Sequence, residues 1–201
     1  MTPAIDPDVA AGIRLVSLDV DGVLTDGSLF VSVGPDGAVA ELRRFHVLDG
    51  MGIRLLREAG LRVAFVSGKR SDAVAARAAE LGVEDVHLGD PAGKLATVRG
   101  ILSRHGWDWE AVAHLADDLA DMTVLDRAGL PAAVPNAVEE VRAVADWIGT
   151  VPGGRGAVRE FAEALLAARG QWEDLVREFR EGGRFAGPDR GEDPGGAASS
   201  G

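Results

Sequence analysis

Asp19 and Asp21 stand in the segment Asp19-Val20-Asp21-Gly22-Val23-Leu24-Thr25-Asp26-Gly27, which closes an apolar run beginning at Arg14. Sites in α/β sheets form at the carboxyl ends of strands. A strand ending at Asp19 therefore aims its carboxylate into a crevice, and Asp21 on the following turn can face the same pocket. Gly22 lets the backbone turn sharply beside a ligand. Such a pair suits phosphoryl transfer. One carboxylate can attack phosphorus and form an aspartyl-phosphate. The other can protonate the leaving oxygen and then take a proton from the hydrolytic water. Two carboxylates repel each other and a phosphate dianion. A hard divalent cation such as Mg²⁺, which prefers oxygen ligands and substrate phosphate, removes that conflict. Taken alone, an Asp-x-Asp-Gly segment reads about equally well as an acidic turn capping the next element.

Three later segments offer partners. Ser67-Gly68-Lys69-Arg70 closes another strong apolar run. The Ser67 hydroxyl and the amides around Gly68 can hold phosphate oxygens at a helix N-terminus, although such a segment is more often an ordinary strand-to-helix turn. Lys94 follows Asp90-Pro91-Ala92-Gly93. A lysine there is usually a solvated surface charge, but it could steady an aspartyl-phosphate. Ala116-Asp117-Asp118-Leu119-Ala120-Asp121 ends a further strand. Asp117 could complete a metal site, with Asp118 or Asp121 behind it. The alternative is a helix N-cap with favourable first-turn acids.

The elements that must position these residues alternate. Arg14–Asp19 and Leu61–Ser67 read as strands, with shorter ones at Val86–Gly89, Val112–Ala116 and Ala132–Val134. Helices are predicted over Gly52–Ala59, Ser71–Leu81 and Pro91–His105, stopped or started by Gly60, Gly82 and Pro91. This order predicts an α/β fold, a Rossmann-like parallel sheet flanked by helices. Between Ser28 and Phe45 two apolar runs surround Gly34-Pro35-Asp36-Gly37, which predicts a β-hairpin overhanging the site as a flap. No segment is long enough for a separate cap domain. Val158 to Phe179 carries one long amphipathic pattern with helical spacing. Residues 1–180 are therefore read as one domain, and 181–201, rich in Gly, Pro, Asp and Ser, as a disordered tail.

Composition narrows the partners. The 201 residues carry a formal net charge of −11, which disfavours nucleic acid and anionic membrane as partners. An anionic substrate then needs a local positive centre. There is no cysteine, so disulfides, thiolate metal sites and a cysteine nucleophile are excluded. The N-terminus lacks a basic segment followed by a long apolar run, and no stretch is apolar enough to span a bilayer, so a cytoplasmic location is expected.

Taken together and in this order, the Asp-x-Asp-Gly, Ser-Gly, Lys and Asp-Asp segments resemble the haloacid dehalogenase-like phosphatase superfamily. A closer resemblance is to its capless branch acting on 3-deoxy-octulosonate 8-phosphate. It rests on residues 19–27, on Phe45-His46-Val47-Leu48-Asp49-Gly50-Met51-Gly52-Ile53, and on Gly153-Gly154-Arg155-Gly156-Ala157-Val158-Arg159-Glu160. The resemblance runs from about Leu15 to about Leu166. It implies a Mg²⁺-dependent phosphatase of a keto-sugar-acid phosphate, assembled as a homotetramer in which neighbours replace the missing cap. It implies Asp19 as nucleophile and metal ligand. Asp21 becomes the general acid/base, with its backbone carbonyl on the metal, and Asp117 the remaining carboxylate on Mg²⁺. Ser67 and Lys94 match phosphate-holding positions, Gly68 permits close approach, and Arg155 matches a position at the active-site mouth. The sequence departs from the pattern at Ala116, where glycine is usual, and at His46 and Leu48. His46 is as compatible with a packed structural role as with substrate contact. A nine-carbon sialic-acid-type 9-phosphate, or another small sugar phosphate, is the alternative substrate. The non-enzyme alternatives are a receiver-like signalling module, disfavoured by the first-strand Asp-x-Asp, and a silent assembly module, disfavoured by the presence of both acids.

Overall fold

The computed structural model describes residues 3–182. Most of the segment read as a tail, residues 183–201, lies outside the described residues. The strands are β1 (Leu15–Leu18), β2 (Phe30–Val33), β3 (Val39–Leu42), β4 (Arg62–Ser67), β5 (Asp85–Leu88), β6 (Val112–Ala116), β7 (Leu130–Ala133) and β8 (Trp147–Ile148). The helices are α1 (Pro7–Gly12), α2 (Val47–Glu58), α3 (Asp72–Leu81), α4 (Gly93–His105), α5 (Met122–Leu125), α6 (Glu139–Val144), α7 (Ala157–Ala168) and α8 (Trp172–Arg180).

Six strands form one parallel sheet in the order β5-β4-β1-β6-β7-β8. The chain builds outward from β1 through β4 and β5, then returns to β1's other side with β6. That reversal opens a crevice beyond the carboxyl ends of β1 and β6, where α/β sheets bind ligands. The predicted Rossmann-like architecture is therefore observed.

Successive residues of a strand face opposite sides of the sheet, and the core divides accordingly. Val16, Leu18, Phe65 and Leu115 pack with Ile53, Leu56, Phe161 and Leu165 of α2 and α7. Leu15, Val66 and Val112 pack with Val98, Ile101 and Leu102 of α4 and Val124 of α5. Both faces are covered, which is why these strands read as continuous apolar runs.

The hairpin β2–β3 forms as predicted, in register from Phe30 opposite Leu42 to Val33 opposite Val39. It leaves Phe30, Val31, Val33, Val39 and Leu42 exposed. Among the described residues no helix is long and apolar enough to cross a membrane.

Several boundaries differ from expectation. The helix predicted from Gly52 begins at Val47, because the His46 side chain accepts from the Leu48 amide at 3.3 Å and serves as N-cap. Histidine is outside the usual N-cap set, so no start signal is legible there. This cap is also the structural role observed for His46. The helix predicted from Pro91 begins at Gly93, since the Asp90 carboxylate accepts from the Ala92 amide in a preceding turn. The pattern from Val158 to Phe179 is two helices. It breaks at Gly170, whose backbone is left-handed (φ 69°), although the spacing of apolar residues runs on across the break.

Candidate active site

The turn Val20–Leu24 follows β1 directly. Its geometry is fixed by Thr25, whose amide and hydroxyl both donate to the Val20 carbonyl at 3.0 and 3.3 Å. Gly22 takes φ 85°, and a Cβ built there would lie 1.9 Å from Asp117 Oδ2. Both the left-handed backbone and the close approach of Asp117 require glycine at this point.

A cleft at the crevice is lined by Asp19, Asp21, Gly22, Ser67, Gly68, Lys94, Asp117, Asp118 and Asp121, with Gly27, Lys69 and Ala120. Of the residues read in the sequence as catalytic, metal-binding or phosphate-binding, all but Arg155 are therefore brought together. The buried Lys94 ammonium donates to Asp19 Oδ1 at 2.6 Å and to both Asp121 oxygens at 2.7 and 2.8 Å. Ser67 is buried, and its Oγ accepts from the Lys69 amide at 3.2 Å. Asp118 is exposed and its carboxylate accepts from the Leu119 amide at 2.7 Å, capping the short turn that carries Asp121. Asp21 sits at the rim and pairs with the Arg43 guanidinium, whose side chain is almost fully buried.

Burial and mutual charge set the electrostatics of the cleft. Burial pushes Asp19 up, Asp121 adds repulsion, and Lys94 offsets only part of this. Burial would lower Lys94, but the facing carboxylates of Asp19 and Asp121 outweigh it and hold the ammonium above its ordinary range. Burial also raises Asp121, yet its bonds to His114 and Lys94 win and hold it below the ordinary value. Asp117 has no cationic neighbour of this kind. Burial first, then the Asp19 charge, pushes it up to about 8.

Asp19, Asp117 and Asp121 each present a carboxylate oxygen within 4.8 Å of the others. Asp117 Oδ1 is buried without a hydrogen-bond partner. Crowded hard oxygen donors, one of them orphaned, fit a hard divalent cation. The side chain of Asp21 is outside this group, and Asp121 is nearer to it than the sequence suggested. Asp117 supplies a pH prediction. Its carboxyl titrates near 3.8 when unperturbed and at about 8 here. A carboxyl raised in the folded state favours folding at low pH and loses that contribution as pH rises from about 4 to about 8. The metal-free protein is expected to melt progressively lower across that window. Mg²⁺ should raise the melting temperature most at its alkaline end. Melting curves in chelator and in Mg²⁺ that stay parallel across this pH range would contradict the assignment.

Several functional positions escaped the sequence reading. Arg43 leaves the hairpin to reach Asp21, and nothing in a surface-type arginine signals this. Asn136 donates to the Gly22 carbonyl at 3.0 Å and accepts from the Gly153 amide at 2.8 Å. Its position just beyond β7, at the same sheet edge as Asp19, was the available signal. Asp49 of α2 accepts from the Gly156 and Arg159 amides, so it caps α7 from outside. Arg155 is exposed outside the cleft, close enough to Asp26 to help the dominant Ser28 amide bond hold that carboxyl low.

A parallel sheet with its acidic site at the β1/β6 reversal, a lysine bridging two aspartates and a hairpin after the first strand define a haloacid dehalogenase-type hydrolase. No protein-family model matches the chain. The 3-deoxy-D-manno-octulosonate 8-phosphate phosphatase of Escherichia coli K12 is 38% identical over 165 residues, covering 82% of this chain and 85% of that protein. The corresponding enzyme of Moraxella catarrhalis, solved with magnesium, phosphate and KDO, superposes with a TM-score of 0.80. It is 35% identical over 86% of this chain and 97% of that one. A Legionella pneumophila protein assigned to the haloacid dehalogenase superfamily, subfamily III A, gives a TM-score of 0.78 at 34% identity, over 87% of this chain and 93% of that one. The chain belongs to the family of 3-deoxy-D-manno-octulosonate 8-phosphate phosphatases.

Proposed function

We propose that this chain is a Mg²⁺-dependent phosphatase that hydrolyses 3-deoxy-D-manno-octulosonate 8-phosphate through an aspartyl-phosphate on Asp19. The observation that carries this reading is the Lys94 ammonium bound between Asp19 and Asp121, with the partnerless Asp117 oxygen opposite. Asp19 attacks phosphorus while Asp21 gives its proton to the departing sugar oxygen. Asp21 then takes a proton from water, which attacks the aspartyl-phosphate and releases inorganic phosphate. Asp21 must first leave its ion pair with Arg43 to serve the departing sugar oxygen. Lys94 keeps Asp19 aligned, and Ser67 with the amides around Gly68 receives the phosphate oxygens. Asp19 and Asp117, with the Asp21 carbonyl, would hold the Mg²⁺, which would supply positive charge against the phosphoryl oxygens.

Residues 1–180 form the phosphatase domain in this reading, with Asp118 supporting Asp121 from the rim and Asp121 supporting Lys94. The enzyme works in the cytoplasm as a homotetramer. The apolar residues exposed on the hairpin, Phe30 at 58% and Val39 at 68% among them, support a neighbour covering this surface. Arg155 then attracts the substrate carboxylate at the mouth.

The deciding experiment measures phosphate release from the eight-carbon substrate and from a nine-carbon sialic-acid 9-phosphate, with Mg²⁺ and with chelator. Preference for the eight-carbon acid and loss of activity in chelator are expected. Preference for the nine-carbon acid would overturn the substrate assignment. Arg155→Ala should cut kcat/KM about 10-fold or more for the sugar acid, and less for a small aryl phosphate. Dilution to monomer should act in the same substrate-dependent way, and a fully active monomer would refute the assembly.

A further inference from the structure

The strand β6 carries one ionisable side chain inside an apolar run, His114 in Val112-Ala113-His114-Leu115-Ala116. It is fully buried and does not line the cleft. In the parallel register it lies beside Ser17 of β1. Its Nδ1 is 3.0 Å from Ser17 Oγ, and its Nε2 is 2.8 Å from Asp121 Oδ1. The same Asp121 holds Lys94, and Lys94 holds Asp19. A continuous chain of hydrogen bonds therefore runs from the core of the sheet to the nucleophile position.

An apolar side chain could fill this volume without burying a polar ring. The imidazole instead has both nitrogens matched. An ionised carboxylate only accepts, so Nε2 carries the proton and donates to Asp121. In the neutral ring Nδ1 then accepts from the Ser17 hydroxyl. This pairing selects one tautomer and one ring orientation, as outer partners of metal and catalytic groups generally do.

We propose that His114 is a positioning residue for the phosphatase reaction: its Nε2–H orients the Asp121 carboxylate so that both oxygens meet Lys94, and Lys94 in turn aligns Asp19 for attack. The inference rests on the reading of Asp19 as nucleophile. Without the His114 donor, Asp121 is free to pivot about its bonds to Lys94, and the ammonium shifts with it. Small displacements of that kind near reacting atoms are costly in rate.

The test uses the full-length protein. His114→Leu should lower kcat by about 10- to 100-fold while KM stays within about twofold, for sugar-acid and aryl phosphates alike. His114→Gln keeps an N–H donor and should recover most of the loss. A second readout needs neither turnover nor metal. In the ¹⁵N-histidine-labelled, metal-free protein, His114 should give one tautomer with a slowly exchanging proton on Nε2, and Asp121→Ala should abolish that protection. Unchanged kcat in a folded His114→Leu variant, equal losses in the Leu and Gln variants, or an Nε2 that carries no proton would each overturn the proposal. If His114→Leu does not fold, the labelled wild-type protein and His114→Gln still decide it. Wild-type protein that releases no phosphate from any substrate would instead sink the functional reading. The tautomer measurement would then judge the His114–Asp121 bond separately.

Discussion

Replacing Asp19 with Asn is expected to remove turnover, by at least about 10⁴-fold, while leaving the fold intact. The amide is nearly isosteric but cannot attack phosphorus. Stability should hold or improve in chelator. Asp19 is buried beside Asp121, which drives its carboxyl upward, and Lys94 compensates only in part. A neutral amide relieves that crowding, and Lys94 retains both Asp121 oxygens at 2.7 and 2.8 Å. The stabilisation gained on adding Mg²⁺ should shrink, because one of its ligands has lost its charge. Asp21→Asn should behave differently, with a block at leaving-group protonation or at dephosphorylation. A trapped phospho-enzyme would locate that block at the second step. Near-wild-type turnover of an alkyl phosphate by Asp19→Asn would show that another group is the nucleophile.

The second large effect is expected from Gly153→Ala. A Cβ at this position would lie 1.8 Å from the Gly22 carbonyl oxygen and 2.5 Å from its carbon, both backbone atoms. Nothing there can rotate away. The surrounding bonds resist a shift of the segment, since the Gly153 amide donates to Asn136 at 2.8 Å and the Gly154 amide to the Val23 carbonyl at 2.9 Å. Overpacking against backbone should cost about 3 kcal/mol or more, which lowers the melting temperature by about 10 °C. The turn that carries Asp21 is displaced in the same event, so kcat should fall even where the variant remains folded. Gly100→Ala is the control. A Cβ there meets nothing within 4 Å, and alanine in the middle of α4 should be neutral or slightly stabilising. A Gly153→Ala protein as stable and active as the Gly100→Ala protein would rule out this buttress.

The reach of the sequence can be judged residue by residue. Asp19, Ser67, Lys94 and Asp117 were legible because each sits where a strand or its following turn opens onto the crevice, and their chain order repeats a family pattern. The sheet was legible because strands covered on both faces are continuous apolar runs. Arg43, Asn136 and His114 were not, because their partners are remote in the chain. Asn136 touches Gly22, and His114 touches Ser17. No local periodicity records such pairs. The Gly153–Gly154 segment stood out only through the family pattern, and its tight contact with residues 22–26 is a pairing that no local pattern records. The split between α7 and α8 was hidden because apolar positions on both sides of Gly170 continue one helical rhythm.

The central place of β1 has a further consequence, for the order in which the chain acquires its structure. Its neighbours β4 and β6 lie about fifty and about a hundred residues away in sequence. A chain emerging from the ribosome can pair β1 with β4 early, but the other edge of β1 stays open until Ala116 is free. Up to that moment an apolar strand offers unpaired backbone to any neighbouring chain. Asp117 and Asp121 follow immediately after β6. The strand that seals the edge thus delivers the acids of the site in the same stretch of synthesis, and cation binding cannot assist folding before then.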